Sequence, residues 1–263
     1  MAVKELILFI LLLMILLTIC FRLKPRHIPN QPITIDDVWV INLDSAVDRW
    51  ENIKKQTGHI QWKVHRWPAT LGKAVRKNEA HVEGVCQIMT LKTDTKKDAY
   101  MLKTTIENNH GKVGCWLSHK RLLTYLSNLD MPDHHAHLIV EDDISFHNGF
   151  LDEWPALAQK IPADWDMIYV GITNPNLKNP VEPPVYRGTT LHTTQGNWGT
   201  HAYIVKQGSI RSRILPKLKY MSHEIDVQMN MYFDEMNVYV VYPNFLKLDS
   251  HYSKISSIEL PEQ

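Results

Sequence analysis

Between His137 and Phe146 the chain passes from an apolar strand, Leu138-Ile139-Val140, directly into three carboxylates, Glu141-Asp142-Asp143. This junction restricts the fold more than any other stretch. An apolar run of that length, rich in branched side chains, reads as a strand covered on both faces, which needs a sheet with a layer on each side. Three adjacent acids repel one another, and a divalent cation with oxygen ligands relieves that cost. The junction therefore predicts a hard-cation site at the end of a buried strand. With Mn²⁺ or Mg²⁺ there, the fitting substrate is a nucleotide diphosphate.

Other segments repeat the pattern. Asp37 to Leu43 is a second continuous apolar run, followed by a helix that Asp44 or Ser45 would cap, with Val47, Trp50 and Ile53 at helical spacing. A strand is predicted from Ile60 to Trp67, stopped by Pro68. Residues 72–110 are polar, lysine-rich and weakly periodic, which predicts a long functional loop or small subdomain. Gly114 is expected to open a helix with an apolar stripe through Trp116, Leu117, Leu122, Leu123, Leu126 and Leu129. Beyond the acids come a helix over 151–160, a strand over 166–171 and a loop over 173–195. A strand over 201–205, helices over 210–218 and 224–234 and a strand over 238–242 complete the body. Strands alternating with helices predict an α/β fold with a mostly parallel sheet.

The net charge of +1, from 29 basic and 28 acidic residues, gives no field that would attract nucleic acid. With three cysteines, one of them (Cys20) in an apolar N-terminal run, a disulfide scaffold is excluded. That run, Leu6 to Phe21, is 16 residues long, and no small-residue cleavage site follows it. It reads as a single-pass membrane anchor over 1–23, with a proline-bearing linker over 24–36. Arg22, Lys24 and Arg26 favour a cytoplasmic body, while a secretory type II arrangement would place it in the Golgi or ER lumen; both remain open.

A set of motifs in order identifies a relative. Val40-Ile41-Asn42-Leu43-Asp44 with Asp48-Arg49, Trp67-Pro68-Ala69 with Gly72-Lys73, Gly114-Cys115 through Ser118-His119, Val140-Glu141-Asp142-Asp143, and Gly199-Thr200-His201-Ala202-Tyr203-Ile204 with Glu224-Ile225-Asp226 resemble glycosyltransferase family 25. That family includes lipooligosaccharide and procollagen galactosyltransferases. The resemblance implies a GT-A type, Rossmann-like domain, here over 37–255 with a tail over 256–263. It implies inverting, metal-dependent transfer of a hexose, galactose or glucose, from a UDP-sugar to a hydroxyl of a glycan, lipid-linked sugar or protein. A catalytically inactive, membrane-tethered binding protein of the same fold is the alternative.

Roles follow from position. Asp143 is the expected ligand of Mn²⁺ or Mg²⁺, with Asp142 as partner and His251 as a third ligand. Asp226, at the start of a helix, is the expected base, and Glu141 the second catalytic acid. Asn42, Leu43, Arg49, Ala69, Ser118, His119 and Asp142 are expected around the donor nucleotide, Ser118 and His119 from the first turns of their helix, where the dipole favours anions. A metal-dependent phosphoesterase is the weaker competitor, because the cluster His134, His135 and His137 precedes its strand instead of following it.

Overall fold

The computed structural model describes residues 33–85, 88–94, 97–104, 109–190, 197–249 and 251. The expected anchor over 1–23, the linker up to residue 32 and the tail over 256–263 lie outside the described residues, as do Cys20 and Cys86; Cys115 is a free thiol. No helix among the described residues is long and apolar enough to cross a membrane.

In chain order the elements are β1 (Asp37–Asn42), α1 (Val47–Thr57), β2 (Lys63–Pro68), α2 (Lys77–Val82), β3 (Ile88–Asp94), β4 (Lys97–Thr104), α3 (His110–Ser127), β5 (Ala136–Glu141), β6 (Ile144–Phe146), α4 (Phe150–Ala158) and β7 (Met167–Thr173). There follow β8 (Pro180–Glu182), β9 (Val185–Arg187), β10 (Trp198–Lys206), α5 (Gln207–Ser209), α6 (Ile225–Asn230), β11 (Val238–Val241) and β12 (Leu246–Leu248). The main sheet has eight strands in the order β2-β1-β5-β10-β7-β11-β9-β8.

β1, β2 and β5 are parallel, β10 runs against both β5 and β7, and β11 is parallel to β7. β9 reverses against β11, and β8 reverses again. Most strands therefore point one way, with β10 and β9 inverted.

Side-chain alternation divides the core. Val38, Val40, Leu138, Val140, Ile168 and Ile204 face Ile53 of α1 and Phe150 and Trp154 of α4. Trp39, Ile41, Ile139, Tyr169, Tyr203 and Val205 face Trp116, Leu117, Leu122 and Leu123 of α3. Burying each such side chain contributes about 1.5–3 kcal/mol.

Two expectations change and one is narrowed. Helix α1 has Ala46 at its N-cap and no side-chain cap, so neither Asp44 nor Ser45 caps it. The stretch after Gly72, expected as a long loop or a small subdomain, takes the second form: it holds a 3₁₀ turn over Gly72–Ala74, α2 and the antiparallel pair β3–β4. Helix α3 begins at His110, four residues before Gly114. The early turn is polar and carries two glycines, which hides it from a hydrophobic-period reading.

The register of two motifs follows from one close contact. A Cβ on Gly72 would lie 1.7 Å from the His110 carbonyl oxygen, and one on Gly114 would lie 2.5 Å from the Thr70 oxygen. Only glycines let the segment after β2 lie against the first turns of α3. Ser118 fastens the same contact, accepting the Thr70 amide at 2.8 Å and donating to the Gly114 carbonyl at 2.6 Å.

Candidate active site

The acids leave β5 at its carboxyl end, beside the carboxyl end of β1. Asn42, the last residue of β1, is buried, and its side chain donates to Asp142 Oδ2 at 2.7 Å and to the Ala46 carbonyl at 3.0 Å. Its own Oδ1 accepts Arg66 Nε at 2.7 Å. Arg49 of α1 donates to Asp142 Oδ1 at 2.9 Å and lies 3.9 Å from Asp143 Oδ2. Asp142 is thus held from both oxygens. Asn42 is a brace for it, and the Asn42 backbone carbonyl is taken by the Ala69 amide at 2.9 Å. Leu43 closes a turn through its carbonyl to the Ala46 amide at 2.9 Å.

Asp143 differs. It is 3 % exposed, and its Oδ1 has no hydrogen-bond partner among the described residues. Burial, joined by the charges of Glu141 and Asp142 and opposed by Arg49, pushes its carboxyl up to about 7. A buried acceptor with no donor, beside two further acids, fits a divalent cation as its missing partner.

Glu141 faces the α3 side. Its Oε1 accepts Thr200 Oγ1 at 3.1 Å and lies 3.3 Å from His119 Nε2. Burial alone would raise its carboxyl, yet the hydrogen bond and charge of His119 hold it below the ordinary value. Burial pushes the Tyr203 hydroxyl well up, so it keeps its proton, and it lies 2.8 Å from His119 Nδ1. Tyr203, His119 and Glu141 thus form one buried hydrogen-bonded chain. Cys115, His119 and Glu141 also approach within 4.8 Å of one another, and in the cation-free protein burial pushes the Cys115 thiol well above its usual value.

The expectation that Ser118 and His119 stand at the positive end of their helix is corrected. Both lie two turns inside α3 and are buried, and their polar atoms are already paired within the protein. Ala69 is half-buried beside them. Asp226, in the first turn of α6, accepts the Gly199 amide at 3.0 Å and the Val227 amide at 2.9 Å, and burial raises its carboxyl. His251 lies exposed after β12, which pairs with β6, and the Asp249 amide donates to the Asp143 carbonyl at 2.7 Å. Asp164-Trp165-Asp166, which mimics a metal motif, is structural: Asp166 accepts Ser209 and the Asn237 amide, and Asp164 accepts Tyr239.

Sequence reasoning missed His201. It is 2 % exposed, both ring nitrogens lack partners among the described residues, and burial lowers its pKa against the pull of Glu141. Two glycines frame the ring. A Cβ on Gly171 would meet His201 Cδ2 at 2.9 Å, and one on Gly199, where φ is +88°, would meet Nδ1 at 2.7 Å. His201 lines a cleft of about 410 Å³ with Thr173, Asn174, Tyr242, Asn244 and Lys247. The signal was present in Gly199-Thr200-His201, a glycine that leaves room for a polar ring on a buried strand.

An α/β sheet covered on both faces, with polar side chains gathered past the carboxyl ends of β1 and β5, is Rossmann-like, a layout in which ligands bind beyond the carboxyl ends of the strands. Residues 35–229 match the family described as Glycosyltransferase family 25 (LPS biosynthesis protein), and the chain belongs to that family. It is 25% identical over 162 residues to procollagen galactosyltransferase 1-A of Xenopus laevis, covering 60% of this chain and 24% of the relative. A glycosyltransferase 25 family member of Drosophila melanogaster is 24% identical over 193 residues, 71% of this chain and 29% of the relative. Procollagen galactosyltransferase 1 of Danio rerio is 24% identical over 202 residues, 74% and 32% of the respective chains. The chain thus spans about a quarter to a third of the length of these relatives.

Proposed function

We propose that the chain is an inverting, divalent-cation-dependent glycosyltransferase that moves galactose or glucose from a UDP-sugar to a hydroxyl of a glycan, lipid-linked sugar or protein. Residues 6–21 would tether it to a membrane, with the body on the lumenal or the cytoplasmic side. The observation that carries this reading is the buried, partnerless Oδ1 of Asp143 at the carboxyl end of β5.

Asp143 would hold Mn²⁺ or Mg²⁺, and His251 would complete the donor set from beyond β12. The cation supplies positive charge to the leaving diphosphate. Asp142 orients the loop, fixed by Asn42 and Arg49, and Arg49 adds a second positive centre. Glu141 stays ionised and holds His119 and Thr200 in place.

Two groups are available to take the acceptor proton. Each Asp226 oxygen already accepts a backbone amide, whereas His201 lines the cleft and its buried ring nitrogens have no partner among the described residues, which favours His201. Asp226 then acts on it indirectly, through the Gly199 turn.

The full-length chain in detergent, assayed with UDP-galactose and UDP-glucose and with Mn²⁺ or EDTA, tests the proposal. Release of UDP that requires the cation and is lost in Asp143→Asn is expected. Cation-independent release, or full activity in the variant, overturns it. Nucleotide-sugar binding with no turnover on any acceptor would return the inactive binding protein.

A further inference from the structure

The amino end of the same sheet carries a cluster that sugar transfer does not use. Asp37 opens β1, His137 is the second residue of β5, and the parallel register places them side by side. His135 lies just before β5. Four strand steps separate His137 from Glu141, about 13 Å, so the two polar ends of β5 are distinct places.

The hydrogen bonds around His137 settle its tautomer. The ring has no exposed surface, with Nδ1 2.7 Å from Asp37 Oδ1 and Nε2 2.9 Å from Gln207 Oε1. The Gln207 amide cannot be turned over, because its Nε2 donates to the Leu126 carbonyl at 2.9 Å and the Leu129 carbonyl at 3.2 Å. Gln207 therefore presents an acceptor, and His137 must donate from Nε2. A neutral imidazole has one N–H, so Nδ1 turns a lone pair toward the Asp37 carboxylate.

Two lone pairs across 2.7 Å require a positive centre to reconcile them, either a proton or a metal cation. His135 favours the metal. Its Nε2 lies 3.3 Å from the other Asp37 oxygen, and one ligand atom from each of the three residues falls within 4.8 Å of the others. Metal-ligating histidines have their second ring N–H held by a carbonyl or carboxylate, as Gln207 holds His137. Two imidazoles and one carboxylate suit zinc, with a fourth position left for water. His135 and Asp36 are partly exposed and give the ion a way in.

We propose that Asp37, His135 and His137 form a zinc site that ties β1 to β5 and, through Gln207, to the carboxyl end of α3. This proposal is independent of sugar transfer. The test uses the full-length chain in detergent, stripped with EDTA, reloaded with ZnCl₂ and desalted, with zinc measured by mass spectrometry and Tm by thermal denaturation. One retained zinc and a raised Tm are expected in wild type and in Asp143→Asn, with both lost in His135→Gln and His137→Gln. His135→Gln is the critical variant, because its partly exposed ring can be replaced without opening the core. Gln207→Ala is expected to weaken zinc binding by about ten-fold. Equal zinc content in wild type and His135→Gln overturns the site. So does a Tm that zinc does not move, and the pair would then be held by a proton alone.

Discussion

At its amino end β5 sets His137, with His135 before it, against the carboxylates of Asp37 and Asp36; at its carboxyl end it releases Glu141, Asp142 and Asp143 against Arg49 and His119. The residue types are alike and the balance is different. Where each carboxylate has an imidazole beside it, Asp37 is held below its ordinary pKa. Where carboxylates are in excess, the last of them, Asp143, has one oxygen without a partner and is pushed up to about 7. Such a surplus costs folding free energy, and it persists where a ligand draws on it.

The largest expected effect breaks the surplus. Asp143→Asn should lower cation-dependent transfer by about 10³-fold, the scale of several kcal/mol of charge stabilisation. The same change should stabilise the cation-free protein at neutral pH, and the sign follows from linkage. The folded carboxyl keeps its proton up to about 7, while the unfolded one releases it near 3.8. Between those values the native state binds more protons, so wild-type stability falls as pH rises. Denaturation in EDTA should find wild type and Asp143→Asn alike near the lower value and the variant more stable by about 1–3 kcal/mol above the upper one. A variant less stable at every pH would mean that Asp143 has a partner after all.

The balanced end should respond in the opposite sense. Asp37→Asn removes one member of a buried pair and should cost about 3 kcal/mol in urea denaturation with EDTA present. Because the folded pKa of Asp37 is lowered, its contribution is present above the ordinary carboxylate value and is lost as pH falls through the folded one. The wild-type advantage over Asp37→Asn should therefore shrink in acid, where the advantage of Asp143→Asn also vanishes. Parallel pH profiles for the two variants would erase the contrast between the ends of β5.

A third change sharpens the assignment of the base. His201→Gln should reduce kcat by about 10²-fold, as loss of a general base does, and flatten the acidic limb of the pH profile. Asp226→Asn should reduce kcat less and leave that limb in place. The reverse ranking would make Asp226 the base, as its position at the start of a helix first suggested.

Sequence pattern showed some of this and packing decided the rest. β1, β5 and β7 are continuous apolar runs, legible because both faces of each are covered. The inversion of β10 was not legible, since a strand buried on both faces has the same composition in either direction. Nor could adjacency say which of Asp142 and Asp143 is available: that depends on Asn42 and Arg49, which lie 100 and 93 residues from Asp142 in the chain. The Gly-Cys-x-x-Ser-His motif reads as an anion site only for a helix that starts at Gly114. With α3 starting at His110, the glycine and serine spacing records a close contact with the segment after β2.

That revision carries the smallest prediction. If Ser118 were a donor-sugar ligand, Ser118→Ala would raise KM for the nucleotide sugar and leave stability alone. As the fastener between Thr70 and α3, its loss leaves the Thr70 amide without an acceptor and frees the segment that carries Gly72. The expected cost is about 1 kcal/mol, read as a lower urea midpoint with KM unchanged. Ser118→Thr should recover little, because Ser118 is 2 % exposed and the added methyl has no space. A raised KM at constant midpoint would return Ser118 to the carboxyl-end site, and the surplus there would then include a hydroxyl as well as the acids.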